Sequence, residues 1–285
     1  MIIDTRMRPM YGAFAEQFTP EACAPFCRKI GMDMPESVRT ASEKAMLEEM
    51  DAAGVSVGIA PSRFIPNDHL VEMVEHFKGR FVGMASIDSA NTIKENLDII
   101  KRYAVDGPLT GIHFEPGHSA VPLYANDPNF YPVYEYCQEQ GLVVGIMLGG
   151  NSGPNLINLT NPAIWGPTRI NGRNPAIITQ LAADFPSVNW FICHGGWPWV
   201  TEILGTCFWY ENIWIEPDLY MFNCPGAQEY INAANGFLQD RFMFGSGYPL
   251  LPLGETVRRS RELFSDAVYD KVMFKNAATL FNLAI

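Results

Sequence analysis

The chain has 285 residues, 48% apolar and 18% charged, with 24 Gly and 21 Pro, a composition that supplies a large core and excludes a disordered protein. Twenty Lys plus Arg stand against 31 Asp plus Glu, and the net charge of -11 repels a phosphate backbone, which excludes nucleic acid as a partner. No run approaches the ~18 apolar residues of a membrane span. The opening Met1-Ile2-Ile3-Asp4-Thr5-Arg6 lacks the apolar stretch of a signal peptide, and the six cysteines are scattered, so a cytoplasmic protein with reduced thiols is expected. Cys23 and Cys27 lie four apart, but no second pair at zinc-finger spacing follows, and packing is the expected role.

Short apolar runs rich in β-branched residues recur along the chain, at residues 2–4, 55–60, 81–87, 109–115, 142–148, 188–193, 212–216 and 241–246. Helical periodicity fills the spaces between them. Residues 41–53 put Met46, Leu47 and Met50 on one face, 91–104 does the same with Ile93, Leu97, Ile100 and Tyr103, and 129–140 follows the start signal Asp127-Pro128. Eight βα units with no linker between them predict an α/β fold, a single (β/α)8 TIM barrel forming one domain over residues 1–285. Two connections are long, 9–40 after the first run and 149–175 after the fifth. Both follow strand ends, where barrel enzymes keep their chemistry, and are candidate lids or pocket walls.

Polar residues at the C-terminal ends of barrel strands converge on one pocket. In chain order these are Asp4, Arg6 and Arg8; Arg63; Asp88; His113 and Glu115; Asn151; His194 with Gly195 and Gly196; Glu216 and Asp218; Ser246 and Tyr248. Period two aims Arg6 with Arg8, His113 with Glu115, and Glu216 with Asp218. Arg6 either binds a ligand or satisfies Asp4 or Glu115; His113 is either a core histidine or a functional one. His69 and His76 on a helix, and His118 in a loop, are expected at the surface. Most of the dense aromatics after residue 190 are core, but Trp197 and Tyr248 directly follow strand ends and are placed to wall a ring-shaped ligand.

An ordered set of segments resembles the amidohydrolase-related family, the branch of barrel enzymes with decarboxylases, hydratases and lactonases. It comprises Met1-Ile2-Ile3-Asp4, Met50-Asp51-Ala52-Ala53-Gly54-Val55, Gly79-Arg80-Phe81-Val82-Gly83, Phe130-Tyr131-Pro132-Val133-Tyr134, Phe185-Pro186, His194-Gly195-Gly196-Trp197-Pro198-Trp199 and Phe244-Gly245-Ser246-Gly247-Tyr248-Pro249. The resemblance implies a metal site beginning with His-x-His where this chain has Arg6 and Arg8. It implies a further histidine where Met147 stands and an aspartate where Gly247 stands. Of that set only His194 is kept, and permanently cationic guanidiniums repel a dication, so no metal and no other cofactor is expected.

Guanidiniums can hold a carboxylate through paired hydrogen bonds and stabilise an oxyanion. The expected activity is therefore a metal-independent hydrolase of the lactonase type on a small cyclic or aromatic carboxylate. The alternatives are a lyase, decarboxylase or hydratase, on a similar carboxylate, and a non-catalytic descendant that binds a ligand. Arg6, Arg8, Asn151, Trp197 and Tyr248 would bind the anionic substrate; His194 would donate a proton or a hydrogen bond, and Asp218 or Glu115 would be the base. If a metal were retained, His113, Glu115 and His194 would be its first ligands. Neither a nucleic acid nor a membrane is an expected partner, and assembly with further copies of the chain is left open.

Overall fold

The structure is a computed structural model that describes residues 1–61, 65–116, 119, 121, 123–149 and 174–284. Seven of the eight expected runs form parallel strands: β1 (Ile2–Asp4), β2 (Val55–Ala60), β3 (Phe81–Gly83), β4 (Ala85–Ile87), β5 (Ile112–Phe114), β6 (Val144–Met147), β7 (Trp190–Cys193) and β8 (Ile213–Glu216); the run 241–246 forms only an isolated bridge, Phe242 to Ile215. They pair in the order β1-β2-β3 and β4-β5-β6-β7-β8. The run 81–87 supplies both β3 and β4, because Met84 N still bonds to Ala60 O (3.4 Å) while Ala85 N turns to Gly111 O (3.1 Å). The last run joins the ends of the ring: Met243 N bonds to Ile215 O (2.9 Å), Thr5 N to Phe244 O (3.0 Å) and Arg8 N to Tyr248 O (3.1 Å). Closure removes the exposed edges that an open sheet would present.

The helices begin where short polar side chains cap them. Ser42 Oγ accepts from Ala45 N ahead of Glu43–Ala53, and Thr92 and Glu95 form a reciprocal capping box ahead of Ile93–Ile100, which continues through a wider turn at Lys101–Val105. Pro128–Phe130 makes a tight turn that leads into the helix Tyr131–Gln140. Alternation divides each strand between two cores. Ile112, Phe114, Ile146, Ile192 and Ile215 face the helices, whereas Ile3, Val57, Ile59, Met84, Met147, Phe191, Cys193 and Met243 belong to a separate cluster within the ring. Toward the strand ends the inward positions His113, Gly145, Cys193, Glu216 and Gly245 are polar or very small, and Met147, level with Cys193, is the large apolar one among them. A Cβ on Gly245 would stand 2.3 Å from Glu216 Oε1, and one on Gly145 would be 3.3 Å from His113 Nδ1, so glycine there leaves room for the polar layer.

All six cysteines are free thiols, and Cys23 and Cys27 are buried. His69 and His76 lie on the helix Asn67–Phe77, where each stacks on Tyr11; His69 also accepts from Ala13 N, which makes it a packing residue rather than the surface residue expected. Arg63, His118, Asn151 and nearly all of the 149–175 connection lie outside the described residues. Among the described residues no helix is long and apolar enough to cross a membrane.

Candidate active site

Arg6, Arg8, His113, Glu115, Cys193, His194, Glu216 and Asp218 follow or end the strands that carry them, and with the exception of Glu115 all are buried. Arg6 Nη2 lies 2.8 Å from His194 Nε2, and His194 Nδ1 lies 2.8 Å from Asp218 Oδ2. A guanidinium can only donate, so Nε2 must accept and the imidazole proton must sit on Nδ1, where it is given to Asp218. The ring is held as the neutral Nδ1–H tautomer. Burial is the main cause of its reluctance to protonate, and Arg6 and Arg8 add to it while Asp218 opposes; His194 is brought down to about 4.

The backbone of this pair is strained. His194 has φ 63° and Asp218 φ 42°, left-handed values that non-glycine residues seldom adopt and that cost of order 1–3 kcal/mol each. Gly195 follows with φ 56°, and its neighbour Pro217 would be 2.9 Å from any Cβ there. The turn after β7 can thus press closely on the turn after β8 and bring imidazole to carboxylate.

Arg6 Nε is 3.8 Å from Asp218 Oδ2. Burial alone would lower the affinity of Arg6 for its proton, but Cys193, Glu216, Asp218 and Glu115 around it more than compensate. Arg8 is pulled down to about 10, by burial first and by Arg6 beside it second; its guanidinium also lies over the Phe18 ring, 5.2 Å from the centroid. Among the described residues, Arg6 Nε and Nη1, Arg8 Nη1, Asp218 Oδ1 and both oxygens of Glu216 are buried without a hydrogen-bond partner. Such groups are costly unless something joins them. Burial above all, then Asp218, raises Glu216 well above the usual carboxylate range.

His113 Nε2 meets Glu115 Oε1 at 3.0 Å, and its Nδ1 is 3.9 Å from Cys193 Sγ. Burial lowers His113 despite Glu115. Asp4 serves the scaffold: it accepts from Arg6 N, Ser246 N and Ser246 Oγ, and so pins the first segment to the last. Tyr248 is fully buried; its hydroxyl donates to Ser37 Oγ (2.6 Å), which donates in turn to Glu49 (2.6 Å), so its polar end is already engaged. Asp88 receives Ser119 Oγ (2.5 Å) and is likewise engaged in a loop. Trp197 stacks on Tyr220 (centroids 4.5 Å, 10°), and Tyr220 meets His194 edge-on at 5.6 Å, which builds an aromatic wall beside the imidazole. Cys193 and Tyr220 are site neighbours that the sequence reasoning passed over. Period two within 188–193 marks Cys193 as inward once the ring is known; nothing local marks Tyr220.

The family model described as "Amidohydrolase" matches residues 8–283. No curated protein matches the sequence. Among solved structures, an uncharacterised TIM-barrel protein of Bordetella bronchiseptica is 32% identical, with 99% of this chain and 98% of that one covered and a TM-score of 0.88. Two others share the fold at lower identity. One is 5-carboxyvanillate decarboxylase from Novosphingobium aromaticivorans, complexed with manganese and 4-hydroxy-3-methoxy-5-nitrobenzoic acid (16% identity, coverage 99% and 96%, TM-score 0.65). The other is 4-oxalomesaconate hydratase from Rhodopseudomonas palustris (16% identity, coverage 99% and 96%, TM-score 0.64).

Manganese in such a relative asks whether this barrel mouth fits a divalent ion. The residues do not fit one: Arg6 donates into the imidazole nitrogen that would have to ligate it, and a second guanidinium stands close by. Among the described residues no group of three or more His, Cys, Asp or Glu is arranged to hold a metal, so His113, Glu115 and His194 do not form the alternative set. With nearly its whole length matched by the family model, and with strands, closure and mouth arranged as above, the chain belongs to the amidohydrolase family.

Proposed function

We propose that the chain is a metal-independent enzyme acting on a small cyclic or aromatic carboxylate, which Arg6 and Arg8 hold, and that its reaction is hydrolysis of a lactone or a similar acyl bond. The observation that carries this reading is the set of buried guanidinium N–H groups without a partner among the described residues. An anion offering two oxygens satisfies them in the geometry that arginine favours. Trp197 and Tyr220 supply a flat wall for a ring.

The choice of reaction follows from where negative charge grows. Attack of water on an acyl carbon builds an oxyanion, which a guanidinium stabilises more in the transition state than in the ground state. A carboxylate that leaves as carbon dioxide loses its charge, so an arginine pinned to that carboxylate would hold it back. Asp218 is the proposed base, because Oδ1 is buried without a hydrogen bond among the described residues while Oδ2 receives His194. Glu115 remains the second candidate. His194, with both nitrogens engaged, orients Asp218 and Arg6 rather than shuttling a free proton. Hydration of an unsaturated carboxylate is the second reading: charge then grows on the pinned carboxylate itself, and one structural relative is a hydratase.

A panel of lactones, unsaturated acids and aromatic acids, run in ¹⁸O-labelled water, tests these readings. Label in a newly formed carboxylate supports hydrolysis, and label in a new hydroxyl supports hydration. Release of carbon dioxide would sink both, and anion binding without turnover across the panel would favour the non-catalytic alternative.

A further inference from the structure

Glu216 has no place in the reaction as described, although it is fully buried, acts electrostatically on both Arg6 and Arg8, and has neither oxygen hydrogen-bonded among the described residues. We propose that Glu216 is a specificity-determining residue that keeps the arginines open to a substrate carboxylate by standing near them as a neutral acid, and that its ionisation closes the site to anions. The inference rests on the reading of Arg6 and Arg8 as the carboxylate anchor.

The argument is one of competition. A charged carboxylate at this place would compete for the N–H groups of Arg6 that lack a hydrogen bond, and in a buried setting the two would close into a direct ion pair. They do not: Arg6 Nε and Nη1 and both oxygens of Glu216 have no hydrogen bond among the described residues. A guanidinium does not give up its proton, so a neutral Glu216 accounts for the missing pair. Its surroundings agree. Asp218 on its own element and Asp4 on the first segment oppose its ionisation, while Arg6 and Arg8 favour it. Cys193 is its partner in the β7–β8 register and keeps its thiol proton through burial. On β5 and just after it, His113 and Glu115 interact electrostatically with Arg6 and bond to one another. Gly245 on the closing segment contributes no titratable group, only the space that the carboxyl fills.

The test uses benzoate as the probe and calorimetry from pH 6 to 9, below the value of about 10 to which Arg8 is drawn. Wild-type affinity is expected to fall as the pH rises, approaching about tenfold per pH unit once Glu216 ionises. Glu216→Gln, which copies the neutral acid, is expected to keep the neutral-pH affinity within about twofold and to abolish the fall. Equal pH dependence in the two proteins, or flat affinity in both, overturns the gate. A second readout does not depend on the variant: ¹³C NMR of wild-type protein labelled at glutamate carboxyls should show one resonance still protonated at pH 7. If every glutamate is ionised there, the gate is overturned whatever benzoate does. A protonated glutamate in a protein that binds benzoate at no pH would instead overturn the carboxylate-anchor reading and the gate with it.

Discussion

A guanidinium that donates to an imidazole fixes what that imidazole can do. Arg6 takes the Nε2 lone pair of His194, and this is the contact that its replacement would release. In Arg6→Met, a cationic neighbour disappears while Asp218 stays and burial, the larger cause, is kept, so His194 should titrate higher than in the wild type; ¹⁵N NMR of the ring reads this directly. An unchanged ring would mean that the contact does not govern the tautomer. The same variant should bind benzoate ~2–5 kcal/mol more weakly, and Arg6→Lys should restore only part of the loss because the fork is gone. His194→Asn removes a strained residue as well as a link: Asn tolerates left-handed backbone, so its melting temperature should change little while turnover drops ~100-fold as Asp218 and Arg6 lose their orientation. A large loss of stability with unaltered turnover would make His194 a purely structural residue.

Strand faces decide which side chains reach the mouth, and glycine decides how much room they have. Gly245→Ala keeps an ordinary backbone but drives its Cβ into Glu216 Oε1, a contact of 2.3 Å that must push the carboxyl aside. Such overpacking should cost ~1–3 kcal/mol in urea denaturation. A neutral result would show that Glu216 has space elsewhere. Seven of the eight runs, their order and the helices between them are legible in the sequence because period two and period 3.6 are local signals; the run 241–246 pairs only through a bridge and backbone bonds at the closure. Arg6, Arg8, His194 and Asp218 are legible too, since strand ends in a barrel converge. The link between them is not. It depends on positive φ at His194 and Asp218, neither a residue whose type announces it, and on two turns about 24 positions apart meeting in space. Tyr248 shows the same limit from the other side: its position after a strand end is readable, but the bond that ties its hydroxyl to Ser37 joins residues 211 apart.

The buried ionisable groups make the stability of the entire barrel depend on pH in opposing directions. His194 and His113 are held below their ordinary range, so the unfolded chain binds more protons as pH falls through 6.5; their contribution is intact above that pH and lost toward 4, for His194 about 3 kcal/mol. Glu216 and Asp4 are raised, so what they contribute is complete below their ordinary values of 4.5 and 3.8 and is lost as pH rises. Glu216→Gln should therefore melt higher than the wild type at pH 8, by a margin that shrinks toward pH 5; a margin independent of pH would show Glu216 to be ionised throughout. Elemental analysis of the purified protein should find no stoichiometric zinc or manganese, and one tightly held ion per chain would refute the arginine-based site. If Arg6 and Arg8 supply the site's positive charge as proposed, the timing of assembly changes too. That charge would arrive with translation, need no loading step, and could not be exchanged for a competing ion or stripped by a chelator. On refolding in metal-free buffer, the fraction competent to bind an anion should rise in step with the folded fraction, without the lag that capture of a cofactor from solution imposes.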